Sequence, residues 1–232
     1  MWLPLGLIAS APVQAQALNV VPVIIELAAG QRASSLTVVN EGDVEASFQL
    51  RAFRWSQFPD ASDTLTPSVE VSVSPPLGTI PPGASQLIRI IVRSAATRQE
   101  SSYRLLLDQI PAPATLGTVR MAIRLSMPVF VEPAVRATPH LLFHVERITN
   151  QNYLVVTNNG NRHEKVRDIV LKAGDGTVLG VEQNISPYVL AGATRRWQLV
   201  AKAPLIYATL RLTAHADSSQ IANQLVTVQA TR

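Results

Sequence analysis

Thr118-Val119-Arg120-Met121-Ala122-Ile123-Arg124-Leu125-Ser126-Met127-Pro128-Val129-Phe130-Val131 is the stretch whose reading decides the fold. Val119, Met121, Ile123, Leu125, Met127, Val129 and Val131 occupy every second position. Side chains of a β-strand alternate between two faces, so this period predicts one long strand with an apolar stripe and a mixed face. At roughly 3.3 Å per residue it would run about 45 Å, well past the usual strand. A strand of that length either crosses the interior of a sandwich or stands at an edge and offers its apolar row to another protein. Both readings stay open on this stretch alone.

Outward from it, the chain carries turn signals and short apolar runs. Val20–Leu27 is β-branched, with Pro22 suited to an edge or bulge. Ser34–Val39, Ala46–Trp55, Val69–Val73, Gln86–Val92 and Tyr103–Gln109 are expected strands, and Ser56–Thr66 an expected loop. Asn40-Glu41-Gly42-Asp43 and Pro81-Pro82-Gly83 punctuate them. About seven strands in about 115 residues, without a convincing amphipathic helix, is the pattern of an immunoglobulin-like β-sandwich.

Glu132-Pro133-Ala134 follows the long strand as a hinge, and the motifs then recur. Leu154–Thr157 before Asn158-Asn159-Gly160 echoes Leu36–Val39 before Asn40-Glu41-Gly42. Val189–Gly192 ahead of Trp197 echoes Thr79–Gly83 ahead of Gln86–Val92. The expected fold is all-β, two immunoglobulin-like sandwiches in 232 residues. Residues 18–131 form the first domain, 132–134 the hinge and 135–232 the second domain.

Trp2–Ser10 is apolar but too short for a membrane span, and Ala15-Gln16-Ala17 offers a small-residue cleavage site. Residues 1–17 are therefore expected to be an export signal, although no Lys or Arg precedes the apolar core, which leaves open a start upstream of Met1. With no Cys, packing alone must hold the two cores, and thiol chemistry is excluded. The net charge of +4 comes from 20 basic and 16 acidic residues spread along the chain, a poor pattern for nucleic-acid binding.

Catalytic patterns are scarce. His140 and His144 share an i,i+4 spacing, but in an expected strand they stand roughly 13 Å apart, too far for one metal ion. Asp175 falls in a Gly174-Asp175-Gly176 hairpin turn. No nucleophile elbow, zinc-protease motif or phosphate loop occurs, so an enzyme, a cofactor and a small-molecule substrate are not expected. Arg89, Arg104, Arg120 and Arg124 sit inside expected strands among apolar neighbours. Each either reaches solvent or holds a partner's carboxylate, for which the planar guanidinium fork is suited.

Four stretches together carry a resemblance: Leu36–Gly42, Pro82–Ile90, Glu100–Arg104 running to Ile110-Pro111, and the strand ending Pro128-Val129-Phe130-Val131-Glu132-Pro133. In these the chain resembles the periplasmic pilus-assembly chaperones of the chaperone–usher pathway. They span most of the first domain; the second matches only in outline. The resemblance implies two immunoglobulin-like domains set in a boomerang, with pilus subunits and an outer-membrane usher as partners. It also implies that the last strand of the first domain is lent to a subunit lacking its own final strand. Aligned on Phe130 and Pro133, the donated side chains are Val119, Met121 and Ile123, with Leu125 next in the row. Self-association of the free form through this strand stays open. The better-known branch of the family holds the subunit's C-terminal carboxylate with an Arg on the first strand and a Lys on the donor strand. The matching positions here are Ile24 or Ile25, depending on one gap, and Pro128. This departure suggests the archaic branch, with Arg89, then Arg104 or Arg124, as the substitute anchor. Glu100 fits the family's interdomain ion-pair network, but the usual Arg partner falls on Glu132. The competing reading is an exported surface or adhesin protein with the Thr118–Val131 stripe buried in its own fold.

Overall fold

The computed structural model describes residues 18–58, 63–93, 98–111, 122–148, 151–182, 186–200 and 207–231. Its first half holds ten strands: β1 Leu18–Val21, β2 Ile25–Leu27, β3 Ala33–Asn40, β4 Ala46–Gln57, β5 Asp63–Pro67, β6 Val71–Ser74, β7 Leu77–Ile80, β8 Ser85–Val92, β9 Ser101–Ile110 and β10 Arg124–Val131. They form two sheets, β1-β3-β8-β6 and β2-β10-β9-β4-β5, with β7 also on β4. Alternation drives the packing. Leu36, Val38, Ile88 and Ile90 face Phe48, Leu50, Tyr103, Leu105, Leu107, Met127 and Val129 across one buried core.

Two expectations are corrected within this sandwich, and one strand is added to those expected. Val20–Leu27 is not one strand: it divides at Pro22, so that β1 pairs antiparallel with β3 while β2 pairs parallel with β10 in the opposite sheet. The expected loop Ser56–Thr66 contains β5, which pairs with the far end of β4. Its residues Asp63-Thr64-Leu65-Thr66-Pro67 are exposed or half-exposed, so no apolar stripe marked them in the sequence. Leu77–Ile80, between two proline breaks, is a strand on β4.

The second half holds β11 Leu141–Ile148, β12 Gln151–Asn158, β13 Glu164–Lys172, β14 Val178–Val181, β15 Tyr188–Val189, β16 Thr194–Val200, β17 Thr209–Ala216 and β18 Gln220–Thr231. Its core gathers Val145, Leu154, Val156, Leu171, Trp197, Leu199, Leu212 and Val226. Because β14 pairs with both β16 and β13, the hydrogen-bonded path runs β14-β16-β12-β11-β18-β17-β13 and closes on itself.

The repeated motif has one physical basis in both halves. Asn40 is fully buried; its Nδ2 donates to the carbonyls of Val44 (2.8 Å) and Ile80 (2.9 Å), and its Oδ1 accepts Gly42 N–H at 3.0 Å. Asn158, equally buried, donates to the carbonyls of Arg162 (2.7 Å) and Val189 (3.2 Å) and accepts Gly160 N–H at 3.0 Å. Gly83 and Gly192 then turn the chain at φ 67° and 70°, a region that costs glycine little. Each Asn pins a turn to the strand that arrives from the other side of its sandwich.

Candidate functional site

The long strand is divided in character. Along one side β10 pairs antiparallel with β9 from Arg124↔Asp108 to Val131↔Ser101, and Ile123 extends this by accepting Gln109 N–H at 2.9 Å. Along the other side β2 covers only Val129–Val131, after which Glu132 N–H donates to the Leu27 carbonyl. Among the described residues nothing pairs with that side from Arg124 to Pro128. Since Ile123 bonds β9 and Glu132 bonds β2, alternation turns the polar backbone of Arg124 and Ser126 toward the open side. Pro128, with no N–H to satisfy, occupies the place where the covering strand ends.

Burial follows the same gradient. Met127 and Val129 are core residues, 2% and 0% exposed; Leu125 is only partly buried against that core, and Ile123 is half-buried. The strand is thus both an interior strand at one end and an edge at the other. Val119 and Met121, expected to continue the row, lie outside the described residues, as does Arg120. Among the described residues the strand begins at Arg124.

At the interior end, the opposite face of β10 meets the second domain. Phe130 is buried with Trp55, Tyr188, Leu190 and Ala193, and Ile24 packs beside them. Trp55 comes from β4, where the sequence places it on the face away from the first core. His163 lies flat on Phe130, and its Nδ1 is 2.8 Å from Glu100 Oε1, which also accepts His163 N–H at 3.1 Å. Gln57 crosses the same boundary: its Nε2 donates to the Tyr188 carbonyl and its Oε1 accepts Leu190 N–H, both at 2.9 Å. Glu132 is no orphan. Arg162 bonds it and also reaches Glu26 at 3.0 Å, an ion pair that joins the two halves of the chain.

The four arginines separate. Arg104, on β9 directly beside Pro128, lays its guanidinium 3.7 Å over the Trp55 ring and 5.6 Å from that of Tyr188. Nearby Arg195, 5% exposed, pairs with Asp63 at 2.8 Å. Burial lowers the Arg104 guanidinium from its ordinary value; Asp63 and Tyr188 oppose that shift and Arg195 adds to it. Burial raises the Tyr188 phenol, against the pull of Arg104. Arg104 and Arg195 thus bring two guanidiniums to the boundary between the domains, beside the Asp63 carboxylate. Arg89 lies exposed on β8, in the sheet that does not contain β10. Arg124 is exposed at the open edge and bonds Asp108.

His140 and His144 stay apart in function: His140 N–H donates to Asn158 Oδ1, while the His144 ring sits 3.3 Å from Glu146. Among the described residues no cluster of three or more His, Asp or Glu could hold a metal ion.

A split first strand, an edge-to-interior last strand and an interdomain boundary lined by Arg104 and Arg195 are joined by a direct sequence match: the profile of pili and flagellar-assembly chaperones, PapD N-terminal domain, matches residues 17–136. The chain belongs to this family. Its likeness to solved pilus-assembly chaperones covers both domains. The CsuC–CsuE chaperone–tip adhesion subunit pre-assembly complex, from archaic chaperone–usher Csu pili of Acinetobacter baumannii, gives a TM-score of 0.65 at 22% identity, over 93% of this chain and 100% of that one. The Salmonella enterica SafA pilin–SafB chaperone complex gives 0.61 at 14%, over 93% and 97%. The Pseudomonas aeruginosa CupB2 chaperone gives 0.58 at 17%, over 89% and 100%. At these identities the likeness is one of fold. No match was found among curated protein sequences.

Trp55, Gln57, Asp63, Tyr188 and Arg195 escaped the sequence reading of the site. The one signal was Trp55, a large apolar residue on the wrong face of its strand.

Proposed function

We propose that this chain is a periplasmic chaperone that receives exported pilus subunits on the open edge of β10 and delivers them to an outer-membrane usher. Residues 1–17 serve as its export signal, and 18–131 and 135–232 as its two domains about the 132–134 hinge. The observation that carries the reading is the half-covered β10. Its far end is locked into the first core and the interdomain cluster, while Ile123 and Leu125 continue the apolar row along an edge that no strand among the described residues covers. In the sequence, Val119 and Met121 fall on the same alternate positions. Strand addition there gives affinity through backbone hydrogen bonds, and alternate side chains fill the groove of a subunit that lacks a strand. Covering that groove also keeps subunits from pairing edge to edge. No nucleotide is needed, because a second subunit's strand can replace the chaperone's.

The cleft supplies the stop for the subunit's C-terminus. Arg104, adjacent to Pro128 at the closed end of the edge, is the residue placed to take its carboxylate, with the fork made rigid by stacking on Trp55. Arg89 sits in the opposite sheet, away from that end. With neither Ile24 nor Pro128 basic, this is an anchor of the archaic kind, in keeping with the fold likeness to the Csu chaperone. The second domain's last strand, β18, does not serve: it lies between β11 and β17 in its sheet.

The test is co-purification from the periplasm with a candidate pilus subunit, comparing wild type with Met121→Glu plus Ile123→Glu. Loss of the complex with an unchanged circular dichroism spectrum supports strand donation. An unfolded variant assigns the stripe to the interior and favours a surface protein instead. A folded variant that still binds rejects this strand as the donor.

A further inference from the structure

A row of side chains crossing the solvent face of the larger first-domain sheet ends on a cation at the open edge. Gln49 of β4 stands beside Asp108 of β9, and Asp108 beside Arg124 of β10. Asp108 accepts Arg51 Nη2 at 2.6 Å and also Arg124 Nε, so two guanidiniums share one carboxylate and one positive charge is left over. The Arg124 side chain is 62% exposed. Only its Nε is engaged; among the described residues neither terminal amino group has a partner, although the fork offers five donors in all. Beyond Arg124 lies the side of β10 that no described strand covers.

Residues side by side on neighbouring strands share a face whether the pair is parallel or antiparallel. A strand added here must therefore set one side chain against Arg124 on the solvent face. Opposite charges so placed stabilise the pair and like charges oppose it. We propose that the subunit strand received at this edge carries an Asp or Glu beside Arg124, making Arg124 a residue that selects subunits by charge. The carboxylate meant here is a side chain partway along the strand, distinct from the terminal one assigned to Arg104. The inference rests on the strand-lending reading.

The experiment measures dissociation of the purified complex between this chaperone and a candidate pilus subunit. Arg124→Gln is expected to weaken it about two- to fivefold, the size of a cross-strand charge pair, and Arg124→Glu by about tenfold. Arg51→Gln, which removes a cation from the same Asp108 two strands farther from the edge, is expected to change it less than about twofold. Arg124→Cys carrying a thiol-coupled photoreactive cross-linker locates the facing subunit residue, and replacing that acid with Lys restores binding to Arg124→Glu. A neutral or basic facing residue, or Arg124→Glu binding as tightly as wild type, overturns the inference. If Ile123→Glu abolishes a complex that is indifferent to Arg124→Glu, strand lending stands and only the charge selection falls. A wild type that forms no complex overturns both.

Discussion

His163 is stacked on Phe130 with ring centroids 3.5 Å apart and planes 8° from parallel. Phe130 belongs to β10 and His163 to the second domain's turn between β12 and β13, so the closed end of the edge strand is gripped by both domains. Glu100 holds the imidazole from the other side at 2.8 Å. The edge strand thus has a fixed base from which its other half projects along the sheet margin.

The two ends of β10 are expected to answer differently to truncation. Met127→Ala deletes a side chain 2% exposed in the core and is expected to lower stability by about 2–5 kcal/mol. Ile123→Ala, at a half-buried position, is expected to cost under about 1 kcal/mol while weakening the subunit complex. Urea denaturation beside the co-purification assay separates the two; equal destabilisation would place both residues in the interior.

Asn40 and Asn158 should each be worth more than a surface amide. Asn40→Ala leaves the Val44 and Ile80 carbonyls without their donor, an expected loss of about 1–3 kcal/mol. Asn158→Ala should match it, because the bonding repeats. Thermal melts of the two variants check this, and a change within about 0.5 kcal/mol at either site would remove that Asn from the scaffold.

Gly160 admits no side chain. A Cβ there would meet the Thr138 carbonyl oxygen at 2.3 Å and His140 N at 2.6 Å, both backbone atoms. Gly160→Ala is expected to destabilise the second domain by about 1–3 kcal/mol, read by denaturation. Gly174→Ala, at a turn with nothing within 4 Å, serves as the silent control.

Acid should weaken both domains through paired carboxylates. Burial pushes Asp108 up, but hydrogen bonds from Arg124 and Arg51 outweigh it and hold its carboxyl below the ordinary value. Glu146 is lowered in the same way, burial being outweighed by Arg196 and His144. A folded pKa below the unfolded one gives stability that is present above the unfolded value, near 4, and is lost as pH falls through the folded value. Asp108→Asn with Glu146→Gln is therefore expected to flatten the fall in melting temperature below about pH 4. An unchanged slope would show that other groups carry the acid response.

Arg104→Ala should leave the sandwich folded and release the subunit, since the guanidinium stacks in the cleft outside either core. Arg104→Lys keeps the charge but loses the planar fork, and is expected to recover only part of the binding. Co-purification reads both; full binding by Arg104→Ala would move the anchor elsewhere.

Period-2 alternation, Asn-x-Gly turn clusters and the recurrence of that motif were enough to specify two β-sandwiches, because strand faces and turn chemistry are local properties written a few residues apart. The apolar row through Ile123 and Leu125 was legible for the same reason. Which part of that row is core and which is edge was not, since it depends on where β2 stops beside β10, a strand separated from it by about a hundred residues of chain. The division of Val20–Leu27 between two sheets and the exposed strand β5 also left no apolar signature. Nor did the cleft: Trp55, Arg104, Tyr188 and Arg195 lie far apart in sequence, and only the docking of one sandwich on the other brings their rings and charges together. The residues alone were enough for the alternating faces of the apolar strands and for their turns, because these follow from nearest neighbours. Tertiary structure alone decided which edge stays open and which arginine stands at its end, because burial and pairing are set by partners distant along the chain.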